Sequence, residues 1–161
     1  MAQATLSGVT PSLQQAPQSY ALLTLDRRLL LLPQSEILTL EPVLDVEVTR
    51  KPAKGVGWLG FEGRDWPVYA LDDDLNPLPV APTQRRVCVL VNASGQYIGL
   101  ICSSIATVRA AELRTRSLPA AMTRPGTLLR GLALHNDRLG VVSTGEALAN
   151  YLQVGRLARR R

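Results

Sequence analysis

Aromatic side chains make up only 4% of the 161 residues, histidine occurs once, at His135, and lysine only at Lys51 and Lys54. So few rings leave the core to Leu, Val and Ala. They also leave no aromatic ladder on which bases could stack, although the net charge is +5 and almost all of it is arginine. The arginines are spread along the chain. Only Arg156 to Arg161 forms a cluster, which reads as a solvated tail. Nucleic-acid binding is therefore not expected.

Cysteine is also scarce. Cys88 and Cys102 sit inside apolar runs, with no C-x-x-C pair, so reduced buried thiols are expected and zinc or dithiol chemistry lacks its spacing. Long apolar runs are missing too. The stretch from Tyr20 to Pro33 is interrupted by Asp26-Arg27-Arg28 and is too short to span a bilayer. The first ten residues have neither a basic start nor an apolar stretch, so no secretory signal is expected and a cytoplasmic location is.

A hydrolytic or transfer site needs a nucleophile, an acid or base and a means of holding developing charge. His135 lies beside a hairpin turn with no Ser-His-Asp or Cys-His arrangement around it. Asp72-Asp73-Asp74 are consecutive, so they cannot all face one ion in a regular element, and no His or Glu spacing accompanies them. Gly55, Gly57 and Gly60 spell G-x-G-x-x-G, but Trp66-Pro67 and a strand pattern follow where a phosphate site needs a helix. No catalytic residue, metal site or cofactor is expected.

What is present is strand after strand. Residues 1–18 are rich in Gln, Ser, Pro and Ala and read as a flexible lead. YALLTL-DRR-LLLLP reads as a hairpin, Pro33 to Glu36 as the start of a short helix, and VLDVEV (Val43 to Val48) as a half-buried strand. In GWLGFEGRDWPVYAL, from Gly57 to Leu71, two apolar runs that hold both tryptophans flank Glu62-Gly63-Arg64-Asp65, whose glycine-bearing centre reads as a hairpin turn. Asn76 to Pro82 has three prolines and must be extended, the connector between two halves. RVCVLV-NASGQ-YIGLICSSIATV reads as a hairpin whose strands are apolar on both faces and so covered on both. The polar stretch from Arg109 to Arg130 suggests a short helix supported by Glu112 and Arg116, GLALH-ND-RLGVV another hairpin, and Thr144 the cap of a final helix reaching about Leu157. About nine short strands with little helix favour β-barrels, and the proline-rich break suggests two.

The order of these pieces resembles the CheW-like coupling proteins of bacterial chemosensory systems. In KPAKGVGWLGFEGRDWPVYAL, Pro52, Ala53, Gly57, Gly63, Pro67 and Leu71 fall where that family has the same residue types. VCVLVNASGQYIGLICSSIATV, with Gly99, and LLRGLALHNDRLGVVSTGEAL resemble its later hairpins and final helix. The resemblance implies an all-β fold of two packed five-stranded SH3-like barrels with a short C-terminal helix. It places the domain at 19–152, a first barrel at about 19–82, a second at about 83–143, the helix at about 144–157 and a basic tail at 158–161.

It also implies a non-enzymatic adaptor with two partners, the regulatory domain of a CheA-type histidine kinase and the cytoplasmic tip of a chemoreceptor, without membrane insertion of its own. The hairpin tip (Gly57, Gly60, Phe61, Glu62, Gly63) would be a docking edge. Ile37 and Thr39 would lie on the first barrel's contact surface, and Arg86, Val87 and Gly99 on the facing side of the second. Three positions depart from the family: Glu62 stands where Arg is usual, Ala70-Leu71 where Asp-Leu is common, and Ser103 where an acidic residue is common. These mark a divergent member, of the kind that serves type IV pilus chemosensory pathways, or an accessory or inhibitory module that binds one partner only; a nucleic-acid-binding β-barrel protein is the further, less favoured alternative.

Overall fold

A computed structural model describes residues 16–118 and 127–159, with side chains to residue 153. Most of the flexible lead, Arg124 and the end of the tail lie outside the described residues. Among the described residues, eleven strands form two sheets. They are β1 (Ser19–Thr24), β2 (Leu29–Pro33), β3 (Ile37–Pro42), β4 (Gly57–Phe61), β5 (Arg64–Tyr69), β6 (Val87–Ala93), β7 (Gln96–Cys102), β8 (Ser104–Arg109), β9 (Arg114–Ser117), β10 (Gly131–His135) and β11 (Arg138–Val142), and the described α-helix, α1 (Gly145–Arg159), follows them. The six-stranded sheet runs β8-β1-β2-β11-β10-β9 and the five-stranded sheet runs β3-β6-β7-β5-β4.

Turn chemistry explains the hairpins. Glu62-Gly63 and Ser94-Gly95 have positive φ at both turn positions, and so do Asn136-Asp137. This is the two-residue turn whose twist matches paired strands.

Both sheets curl. Six strands side by side would hold β8 and β9 about 24 Å apart, yet Arg109 and Arg114 are joined by a span that reaches at most about 18 Å. The edges must therefore approach each other. In the five-stranded sheet, Val43 to Glu47 crosses from β3 to β4: Val43 N–H donates to the Arg86 carbonyl at 3.1 Å and Glu47 pairs with Trp58.

The expected division near residue 82 is corrected. The first sheet is built from both ends of the chain, 19–33 and 104–142, and the second from 37–102. Two parallel pairings cause this, β2 with β11 and β5 with β7, and neither has a local signal. The first sheet also has six strands, not five. VLDVEV is not a strand: Val43–Asp45 is a single 3-10 turn, and only Val46 of the segment is buried. The helix expected around Glu112 and Arg116 is a 3-10 turn at Ala110–Glu112 running into β9, and Glu112 pairs with Arg109 at 3.2 Å instead.

Strands apolar on both faces are covered on both faces, as expected. Val89, Val91, Ile98, Leu100 and Cys102 meet Ala21, Leu23, Leu30, Leu32 and Val141 of the other sheet, with Leu148, Ala149 and Leu152 of α1, in a core between the sheets. The opposite face of β6 and β7 puts Cys88, Leu90 and Ile101 inside the second sheet with Leu59, Trp66 and Val68. Tyr20, Leu29, Leu31, Val108 and Ala133 fill the first.

Cys88 and Cys102 thus point to opposite faces. Burial pushes each thiol up to about 12. Ellman's reagent is expected to leave both thiols unmodified at pH 8 until denaturant is added. Rapid labelling of the native protein would show that β6 and β7 open easily.

α1 starts where Thr144 Oγ1 accepts the Ala147 N–H at 3.0 Å. Glu36 Oε1 accepts the Gly145 N–H at 2.6 Å, tying the helix to the turn before β3.

Candidate partner-binding surface

The sequence-derived site residues separate into three groups. Two glycines are interior. A Cβ on Gly57 would run into the Glu47 carbonyl, so glycine here lets the closing segment lie against β4. Gly99 is buried, with Cys88 Sγ 3.0 Å and Val68 Cγ2 3.1 Å from where its Cβ would be. The expectation that either meets a partner directly is corrected: both are packing positions. Gly99→Val is expected to lower stability by about 1–3 kcal/mol through overpacking, read by urea denaturation, with no change in m-value.

The hairpin tip is the second group. Gly60, Glu62 and Gly63 are exposed and Phe61 is half-buried. Phe61 is not a free ring. It meets Trp66 edge-on at 6.4 Å, Trp66 meets Tyr97 at 5.1 Å, and the Arg64 guanidinium lies 4.0 Å over Tyr97. Trp66 is 2% exposed and serves the core. Trp58, on the outer face, carries Arg50 5.1 Å above its ring, and Arg50 also reaches Asp65 at 3.6 Å. Ring stacking and guanidinium contacts thus brace the hairpin, and Glu62 stands exposed at its turn.

The third group runs along β3. Ile37 and Thr39 line a groove of about 630 Å³ between the edges of the two sheets, with Leu38, Leu40 and Gln34 on one side and Ile105, Ala106 and Thr107 on the other. Thr107 Oγ1 donates to Gln34 Oε1 at 3.0 Å and bridges its walls. One turn further, Pro42, Val43 and Leu44 face Thr83, Arg85 and Arg86 across a cleft of about 500 Å³. Arg86 is exposed, and Val87 is half-buried and paired with Pro42.

Sequence reasoning missed the leucines of this strip. Leu38 and Leu40 are each 48% exposed and Leu44 is 95% exposed. Alternation was the available signal, since ILTLEP alternates, but a register shift between Ile37 and Thr39 and outward-facing leucines hide which face is which.

Arg85 was also missed. Its side chain is fully buried between the halves and donates to Asp26 at 3.0 Å and 3.4 Å. The hydrogen bond from Arg85 holds the Asp26 carboxyl below the usual carboxylate range.

The other polar motifs are structural. Asp73 Oδ1 accepts the Arg27 N–H at 2.9 Å, and Asp72 Oδ1 accepts the N–H groups of Asp74 and Asn76 at 2.9 Å. Among the described residues, no group of three or more His, Cys, Asp or Glu could hold a metal ion. Ser103 fits its departure from the acidic pattern. Its hydroxyl faces the carbonyls of Thr24 and Leu25 at 2.8 and 3.0 Å, where a carboxylate would be repelled. No described helix is long and apolar enough to cross a membrane. The arrangement offers recognition surfaces: a mainly apolar cleft beside Leu44, a groove of mixed polarity along β3, and a braced hairpin tip.

No family model and no curated protein matches the sequence. Among solved structures, the scaffolding protein TtCheW from Thermoanaerobacter tengcongensis is similar with a TM-score of 0.60 and 19% identity, over 80% of this chain and 89% of that one. Two sheets of five and six strands, mostly β structure and one closing helix agree with that likeness, and the chain has the CheW-like fold.

Proposed function

We propose that this protein is a non-enzymatic adaptor that couples a chemoreceptor tip to the regulatory domain of a CheA-type histidine kinase. The observation that carries the reading is the β3 strip. Leu38, Leu40 and Leu44 expose apolar surface beside two hollows, on a fold shared with a scaffolding protein. Exposed leucines in one line at the junction of two sheets are a cost to a solitary protein and an asset to a docked one. The receptor tip is assigned to the groove lined by Ile37 to Leu40. The kinase domain suits the braced β4–β5 tip with Gly60, Phe61, Glu62 and Gly63. Arg86 and Val87 flank the cleft between these regions. The protein works in the cytoplasm at membrane-associated receptor arrays, and a type IV pilus pathway controlling twitching is its proposed setting.

Glu62 supports a second reading, an accessory module that binds the receptor alone. A carboxylate at an interface centre that usually holds a guanidinium repels a partner built for the guanidinium. Calorimetric titration against each purified partner decides. Binding to both supports the coupler, and binding to the receptor fragment alone supports the accessory module. In the coupler, Glu62→Arg is expected to change kinase affinity at least tenfold and leave receptor affinity unchanged. Equal affinities before and after the change would remove Glu62 from the interface.

A further inference from the structure

The outer face of β9, β10 and β11 carries a pattern that the adaptor reading does not use. Residues paired across an antiparallel ladder share a face. Leu132 is opposite Arg116 on one side and Val141 on the other, and Leu134 is opposite Arg114 and Leu139. Two rows result, Arg116–Leu132–Val141 and Arg114–Leu134–Leu139; Arg130, just before β10, donates from Nη1 to the Thr127 carbonyl at 2.9 Å. Val141 is buried in the core between the sheets, Leu132 and Leu134 are half-buried, and Leu139 is 52% exposed. The apolar surface thus runs out of the core and stops at a margin of exposed arginines. Among the described residues, Arg114, Arg116 and Arg130 form no ion pair, and the nearby Glu112 is taken by Arg109. β9 is an edge strand, bonded only to β10.

We propose that this face docks an acidic amphipathic helix of a partner protein. The spacing fits. Arg114 and Arg116 are two residues apart on one strand, about 6.6 Å, and carboxylates one turn apart on a helix rise about 6 Å. Guanidinium groups take carboxylates in bidentate pairs, while leucines on the helix's neighbouring stripe would lie over Leu132, Leu134 and Leu139. Charge complementarity selects an acidic partner, and the apolar rows select a protein over a polyanion. None of these residues lines the β3 groove or the hairpin tip, so the proposal stands apart from the coupling reading.

The test is amide chemical-shift mapping of the isotopically labelled full chain. The probe is a synthetic stapled helix with leucines at i, i+3, i+4 and i+7 and glutamates beside them. Saturable shifts confined to β9, β10 and β11 are expected. Affinity should fall at least tenfold with R114E/R116E, and with Leu139→Asp alone, and return for R114E/R116E when the peptide's glutamates become lysines. A peptide with serine for leucine should not bind. The proposal is overturned by no saturable shift, by shifts centred on the β3 groove or the β4–β5 tip, or by undiminished binding of the serine peptide. It is equally overturned if a single-stranded oligonucleotide or phosphatidylserine vesicles occupy the face more tightly than the peptide.

Discussion

Asp26→Ala should lower the unfolding free energy at pH 7 by about 2–3 kcal/mol, far more than an exposed turn residue normally costs. The reason lies in Arg85, whose side chain is wholly inaccessible while that of Asp26 is 36% exposed. The guanidinium sits between the β1–β2 turn and the start of β6. Its Nη2 and Nε are held by the carboxylate, and its Nη1 has no hydrogen-bond partner among the described residues. Removing one partner of a buried pair leaves an uncompensated charge, at about 3–5 kcal/mol when both are buried. Water at the exposed side of Asp26 screens part of that, which places the effect at the lower end.

The same pair sets an acid limb. The Asp26 pKa is lower in the folded protein than in the unfolded chain, chiefly through the Arg85 hydrogen bond. Its contribution is complete above the unfolded pKa of about 3.9 and is lost as pH falls through the folded value. Urea denaturation of wild type and variant should therefore give curves that converge in strong acid. A constant gap across pH would mean that the stabilisation is packing and not charge. Replacing both residues by apolar ones of similar volume should recover most of the loss.

The second large effect concerns binding. Leu40→Asp with Leu44→Asp should weaken partner binding about 100-fold, or about 2.7 kcal/mol, while changing stability by no more than about 0.5 kcal/mol. Leu44 is 95% exposed and Leu40 48%, so Leu44 packs hardly at all within the fold and Leu40 leaves about half its surface open. A few well-placed apolar anchors carry most of an interface's energy, and a carboxylate in their place must be desolvated without a partner. Calorimetry gives the first number and urea denaturation the second. Unchanged affinity for both partners would move the docking surface off β3. A large loss of stability would show that Leu40 and Leu44 pack within the fold.

What could be read from the sequence followed from how local its cause was. The β4–β5, β6–β7 and β10–β11 hairpins were legible because EGRD, NASGQ and Asn136-Asp137 separate apolar runs, and the structure narrows the first two turns to Glu62-Gly63 and Ser94-Gly95. The final helix was legible because Thr144 caps it. The partition of strands between the sheets was not, because the parallel pairs β2–β11 and β5–β7 join segments with no shared turn.

The β3 strip hid for another reason. Its leucines face outward, so a rule that sends leucine inward reads the wrong side, while Val43 to Val48 shows a cleaner alternation that belongs to a closing segment with one bridge, Glu47 to Trp58. Of the candidate site, the tip residues Gly60 to Gly63 and the strip residues Ile37, Thr39, Arg86 and Val87 are at or near the surface. Gly57 and Gly99 are glycines because neighbours press on them. A glycine demanded by packing and one demanded by a partner look alike in one sequence.

The coupling claim is tested most directly by sedimentation of three components. The receptor-tip fragment and the kinase regulatory domain are run together, with and without this protein, at concentrations where the two do not associate by themselves. Coupling predicts a single heavier species containing all three only when the protein is present, and its loss with L40D/L44D. Separate binary complexes, or displacement of one partner by the other, would contradict it.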